Sequence, residues 1–178
     1  NNSINQQHHL KELSRIIRAA SEFTKLDTDK TGGYLAICDA SVGTLACLPV
    51  GTVINETSRR KRMRNATEKA TRLFNIRQSN SFESADESKD QYGGGIYIQE
   101  YNIILAFSGF PPKLDEAVCI MYGALLIVLE EMFNASGDGE FRKRVYNRIN
   151  QTFVNEFPNN EFIKPLAEEL YAEAAIFE

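Results

Sequence analysis

The sequence predicts an α+β domain, and three observations carry that reading. Between Gly93 and Val118 two runs rich in β-branched and aromatic residues, Ile96-Tyr97-Ile98 and 103–107, are separated only by the polar turn 99–102, the pattern of a β-hairpin. From Lys113 onward, and again from Leu10 to Ala20, apolar residues recur at helical spacing instead. At 178 residues, 43% hydrophobic and 25% charged, the chain is long enough to bury one real core.

In chain order, residues 1–7 are polar and read as a frayed terminus. Leu10, Leu13, Ile17 and Ala20, with Ile16 and Phe23 beside them, make an amphipathic helix from about His8 to Leu26. Residues 27–33 form a turn-rich connector. Residues 34–38 and 44–48 read as paired strands around the turn 39–43, and 49–55 as a loop. Thr57 or Ser58 is expected to cap a helix running to about Phe74, with Met63, Ala66, Ala70 and Leu73 on one face. Residues 75–91 are a long polar loop, either mobile or a flap over a site.

Gly93-Gly94-Gly95 opens the central hairpin, and Ser108-Gly109-Phe110-Pro111-Pro112 ends it, because proline cannot donate to a ladder. Residues 114–133 form the longest and most apolar helix, broken at 134–139 by Gly137 and Gly139. Phe141, Val145, Ile149 and Phe153 mark another amphipathic helix, ended by 157–160. A last helix is expected near Pro165, carrying Leu166, Leu170 and Ala174. The chain thus divides into a domain over 1–133 and a helical extension over 134–178. The extension's aromatic faces need a covering surface, on the same domain or on another subunit.

The totals exclude several classes. A net charge of −4 argues against a dedicated nucleic-acid binder. Cys38, Cys47 and Cys119 are odd in number, lie inside apolar runs and lack metal-ligand spacing, which suits buried thiols in a reduced, cytoplasmic protein. The run 117–129 is bounded by Asp115, Glu116, Glu130 and Glu131 and is shorter than the roughly 18 residues of a membrane helix. No leader segment is read at the start, and the absence of an initiator methionine leaves open what precedes Asn1. The five Asn-x-Ser/Thr triplets, starting at Asn1, Asn55, Asn65, Asn134 and Asn150, read as chance in an Asn-rich chain.

Chemistry is sparser. The only histidines, His8 and His9, lie near the terminus, so a Ser-His-Asp arrangement has no base. The triple glycine precedes a strand, whereas phosphate-binding loops place glycines between a strand and a helix. Asp138 lacks the companion acids of a calcium loop. Arg59, Arg60, Lys61, Arg62 and Arg64 crowd a helix start where the backbone dipole disfavours cations; they are a solvated cluster, or attract an anion or an acidic patch on another subunit, with nucleic acid last because aromatic residues are not interleaved among them. Asp39, Glu68, Lys69, Ser108 and Asp115 remain as polar candidates for ligand contact, against capping or surface pairing for each. Glu68 and Lys69 are adjacent on a helix, so only one can face the core squarely. Asp115 would also suit a helix's first turn.

Three motifs in order carry a resemblance. Ile37-Cys38-Asp39-Ala40 with Gly43-Thr44-Leu45-Ala46, then Glu68-Lys69-Ala70 with Thr67 and Thr71, then the glycines, the hairpin, Ser108-Gly109 and Asp115-Glu116-Ala117-Val118, together resemble the HbpS-like or GlcG-like family. The same family supplies the haem-binding domain fused to some corrinoid adenosyltransferases. The likeness covers roughly residues 10–130. It implies a profilin-like fold, a five-stranded antiparallel sheet with helices on its faces, a homo-oligomer, and haem or another tetrapyrrole as ligand. Axial iron ligands are usually His, Met, Cys or Tyr, which makes His8, His9, Met63, Tyr97 and Met121 the candidates. Leu48-Pro49-Val50-Gly51 lacks the acid often found after the family's second strand, and Tyr97 stands where a proline is common. Three functions follow: a non-catalytic small-molecule binding module, an assembly subunit that kept the scaffold without haem, or an enzyme whose site is not recognised.

Overall fold

Four strands form one antiparallel sheet in the order β2-β1-β4-β3, where β1 is Thr31–Asp39, β2 Thr44–Thr52, β3 Gly95–Ile98 and β4 Ile103–Ser108. The computed structural model describes residues 2–24, 31–53, 55–132 and 138–172. Helices α1 (Asn2–Glu22), α2 (Glu56–Ile76) and α3 (Pro112–Glu131) enclose the sheet, followed by α4 (Asp138–Arg148), α5 (Val154–Glu156) and α6 (Ile163–Ala167). Alternation along β1 and β4 sorts the two faces. Ala36, Cys38, Ile104 and Ala106 turn toward Ala66, Ala70 and Leu73 of α2, while Leu35, Leu105 and Phe107 turn toward α1 and α3. Alanines facing alanines keep the α2 layer thin and bring that helix close to the sheet.

The expected α+β class holds, but the sheet has four strands among the described residues instead of five. The place beside β3 is taken by residues 79–81. Ser81 N donates to Gly95 O and Tyr97 N to Ser79 O, but only Asn80 pairs, with Ile96, so the stretch makes a bridge and no strand. The loop 75–91 that the sequence leaves open between mobile and flap is tied down here and by Arg72.

Several boundaries differ from expectation. The first helix already starts at Asn2, and its Leu10 is exposed. β2 continues through Pro49, opposite Tyr34, to Thr52. Pro49 fits because β2 is an edge strand, where one missing donor need not break the ladder. α2 is capped by Asn55, not Thr57 or Ser58: the Asn55 side chain accepts from Ser58 N at 2.8 Å. Met63 is 47% exposed and does not join the α2 face, which buries Asn65 instead. Cys47 is only half-buried, unlike Cys38 and Cys119. The last helix begins at Ile163, two residues before Pro165. The break at 134–139 lies mostly outside the described residues, as does Ala174.

The C-terminal helices cover α3 and α1. Val145, Ile149, Phe153, Phe157, Ile163, Leu166 and Tyr171 join the same apolar cluster as Leu13, Ile17 and most of α3. Two π-helical turns, Ile149–Phe153 and Glu168–Ala172, lie in this part of the chain.

Candidate functional site

The polar features closest together lie where the middle of α2 meets the turn from β4 into α3. Helical spacing puts Asn65, Lys69 and Arg72 on the sheet-facing side of α2, and all three are buried. Lys69 is 1% exposed. Its Nζ donates to Phe107 O at 2.7 Å and to Asp115 Oδ2 at 3.1 Å. Asp115, 2% exposed, accepts on Oδ1 from Gly109 N at 3.1 Å and Phe110 N at 2.8 Å. The pair therefore pins residues 107–110 between α2 and α3. Burial pushes the Asp115 carboxyl up to about 6, against the pull of Lys69 and the two amides.

In front of this pinned turn lies a groove of about 280 Å³ lined by Ser58, Lys61, Arg62, Asn65, Ser108, Gly109 and Phe110. Among the described residues its lining carries Lys61 and Arg62 and no carboxylate. Asn65 and Ser108, at 8% and 6% exposure, open into it, and neither side chain hydrogen-bonds to another described residue. Arg62 NH1 donates to Gly32 O at 2.6 Å, which anchors its guanidinium at the rim. Other members of the basic cluster are engaged elsewhere: Arg59 Nε donates to Val53 O, Arg60 pairs with Glu56, and Arg64 lies 4.0 Å from Asp90.

Of the five polar candidates and Tyr97, Lys69, Ser108 and Asp115 come together around the β4–α3 turn. The others do not. Glu68 points to the far side of α2, where Arg72 Nε donates to its Oε1 at 2.8 Å, and it lines an open groove of about 630 Å³. Asp39 is exposed in the first hairpin turn, where it accepts from Ser41 N at 2.9 Å; these Ser41 hydrogen bonds hold its carboxyl below the usual range. Tyr97 lies with its ring 5.6 Å from the Arg77 guanidinium and lines a third groove with Arg148 and Phe153. Asn65, which lines the same groove, was not among the candidates read from the sequence. It stands four residues before Lys69, a spacing that puts two polar residues on one buried helix face, and that was the signal.

Chemically the groove can hold but has little to react with. The Ser108 hydroxyl has no base bonded to it among the described residues, and both oxygens of Asp115 are occupied by donors. The candidate iron ligands lie apart among the described residues. Met121 is sealed in the core, Met63 is on the surface of α2, and the His8 side chain falls outside the described residues. Tyr97 lines the groove it shares with Arg148 and Phe153. No helix among the described residues is long and apolar enough to cross a membrane, and no described group of His, Cys, Asp and Glu is arranged to hold a metal ion. None of the family models, curated proteins or solved structures compared with the chain matches it.

Proposed function

We propose that the protein is a non-catalytic small-molecule binding module, and that its ligand is a small anion with hydroxyl or carbonyl oxygens, held between α2 and the β4–α3 turn. The observation that carries this reading is the pair Asn65 and Ser108, more than nine-tenths buried yet bonded to no other described residue. Neither side chain is among the buried polar atoms sealed from water, so both present their polar ends to the groove. A ligand offering both donors and acceptors can take the place of water there, since an amide and a hydroxyl each do both. Lys61 supplies the counter-charge for an anionic end. The tetrapyrrole implied by the HbpS-like resemblance remains a ligand to test beside it.

Calorimetric titration tests this with three probes. Glycerol phosphate is expected to bind saturably and to weaken as salt is added, because rim charges are screened over about 10 Å at 0.1 M. Uncharged glycerol is expected to bind far more weakly. A saturable Soret shift with haemin and no uptake of glycerol phosphate would replace the anion by a tetrapyrrole; no heat from any probe would remove the reading.

Assembly as a homo-oligomer has one observation in its favour. β2 is an edge strand that leaves Leu45 and Leu48 exposed, with Val42 beside it in the hairpin turn, and nine-residue apolar edges invite pairing. Light scattering would report a discrete oligomer that Leu45→Lys/Leu48→Lys dissociates; a monomer at all concentrations would sink it.

A further inference from the structure

A separate groove of about 290 Å³ lies between the start of α3, residues 80–83 and the turn at 156–160. Glu116 lines it and is 2% exposed. Asn160 Nδ2 donates to Glu116 Oε1 at 2.9 Å and to Lys113 O at 2.7 Å, so both protons of that amide are committed. The amide is itself fixed, because Phe162 N donates to its Oδ1 at 3.1 Å. Glu116 Oε2 is left buried without a hydrogen-bond partner. Burial raises the carboxyl above its ordinary range, against the Asn160 hydrogen bond and Lys113.

The surroundings say which donor would suit. Lys113 does not pair with Glu116; its ammonium lies 4.5 Å from the centre of the Phe82 ring. Glu83 and Glu156 open on the same groove, so the lining holds three carboxylates and one cation, with Phe82 and Phe157 as apolar walls. A bare anion would meet an excess of negative charge, and a bare hydrocarbon would leave Oε2 unmet.

We propose that this groove binds a small zwitterion with an apolar body, of the size and kind of an α-amino acid. Its primary ammonium donates to Glu116 Oε2, its carboxylate meets Lys113, and its side chain lies against Phe82 and Phe157. The site shares no lining residue with the anion groove, so either can fail alone.

The test uses three molecules sharing one branched alkyl body: L-leucine, isoamylamine, which lacks the carboxylate, and isocaproate, which lacks the ammonium. Binding to the full chain is read from the side-chain amide resonances of Asn160. Leucine is expected to shift them saturably, isoamylamine more weakly, and isocaproate not at all. Glu116→Gln keeps an acceptor for Asn160 and removes the charge, so the variant should fold, as checked by thermal unfolding, and lose at least about tenfold in leucine affinity, the range of a charge-assisted hydrogen bond. Lys113→Gln should bring leucine down to the affinity of isoamylamine. The proposal is overturned if wild type takes up none of the three, if isocaproate binds as well as leucine, or if Glu116→Gln binds leucine like wild type.

Discussion

Gly94 has φ +111°, and a Cβ there would come within 2.7 Å of Asp115 Cβ and 2.8 Å of Lys69 Nζ. The glycine is needed both for its backbone angle and for the room it leaves the buried ion pair. Gly94→Ala is expected to destabilise by more than about 1 kcal/mol, read by urea unfolding. The pair itself is dearer to break. Asp115→Asn leaves the Lys69 ammonium buried without its counter-ion and should cost about 3–5 kcal/mol in the same assay. Asp115 also gives the stability a pH slope. Its folded value of about 6 lies above the usual carboxylate value near 3.8, so between them the folded chain keeps a proton that the unfolded chain has released. Raising the pH from about 4 to 6 therefore lowers stability, and the loss levels off above 6. Denaturant midpoints measured across that window should fall in wild type and lose this component in Asp115→Asn. That one of Glu68 and Lys69 must face inward was legible from adjacency on a helix; that Lys69 would be the one depended on Asp115, 46 residues away, which no local pattern shows.

At the scale of elements, α2 organises its surroundings through Arg72. Arg72 NH1 donates to Ser81 O at 2.8 Å and Ser84 Oγ at 2.9 Å, and NH2 to Tyr92 O at 2.6 Å, while Nε holds Glu68. One side chain thus fastens the polar segment 81–92 to the helix. Arg72→Leu should speed hydrogen exchange at Ser81 N and Tyr97 N, the two bonds that hold residues 79–81 beside β3, and cost on the order of 2–4 kcal/mol. Unchanged exchange at those amides would show the segment is held by its own pairing. The sequence left this stretch open between a mobile loop and a flap because its residues are polar and lack periodicity; what orders it is two backbone carbonyls and the Ser84 hydroxyl meeting one guanidinium. The central hairpin, by contrast, was legible to within a residue or two, since both of its strands are continuous apolar runs. β2 was read too short because Pro49 looks like a terminator, and the edge position that excuses it is a property of the sheet.

Across the whole molecule, the larger of two apolar clusters runs from α1 through α3 into the C-terminal helices, while the smaller lies between α2 and the sheet. A chain ending at 133 would expose the face of α3 that Val145, Ile149, Phe153 and Leu166 cover. It is expected to aggregate or to unfold non-cooperatively, as followed by near-ultraviolet circular dichroism; a cooperative, soluble 1–133 fragment would make the extension an independent addition. The α+β class and the need to cover the extension's aromatic faces were readable from periodicity. The groove was not, because Asn65, Ser108 and the basic rim meet only once α2 has docked on the sheet and Lys69 has pinned the β4–α3 turn. Whether this groove takes up a small anion is tested most directly by a backbone and side-chain amide shift map of the full chain titrated with glycerol phosphate. Saturable shifts centred on Asn65, Ser108 and Gly109, abolished in Asn65→Leu, are the predicted result; shifts confined to exposed arginines, or none, would contradict it.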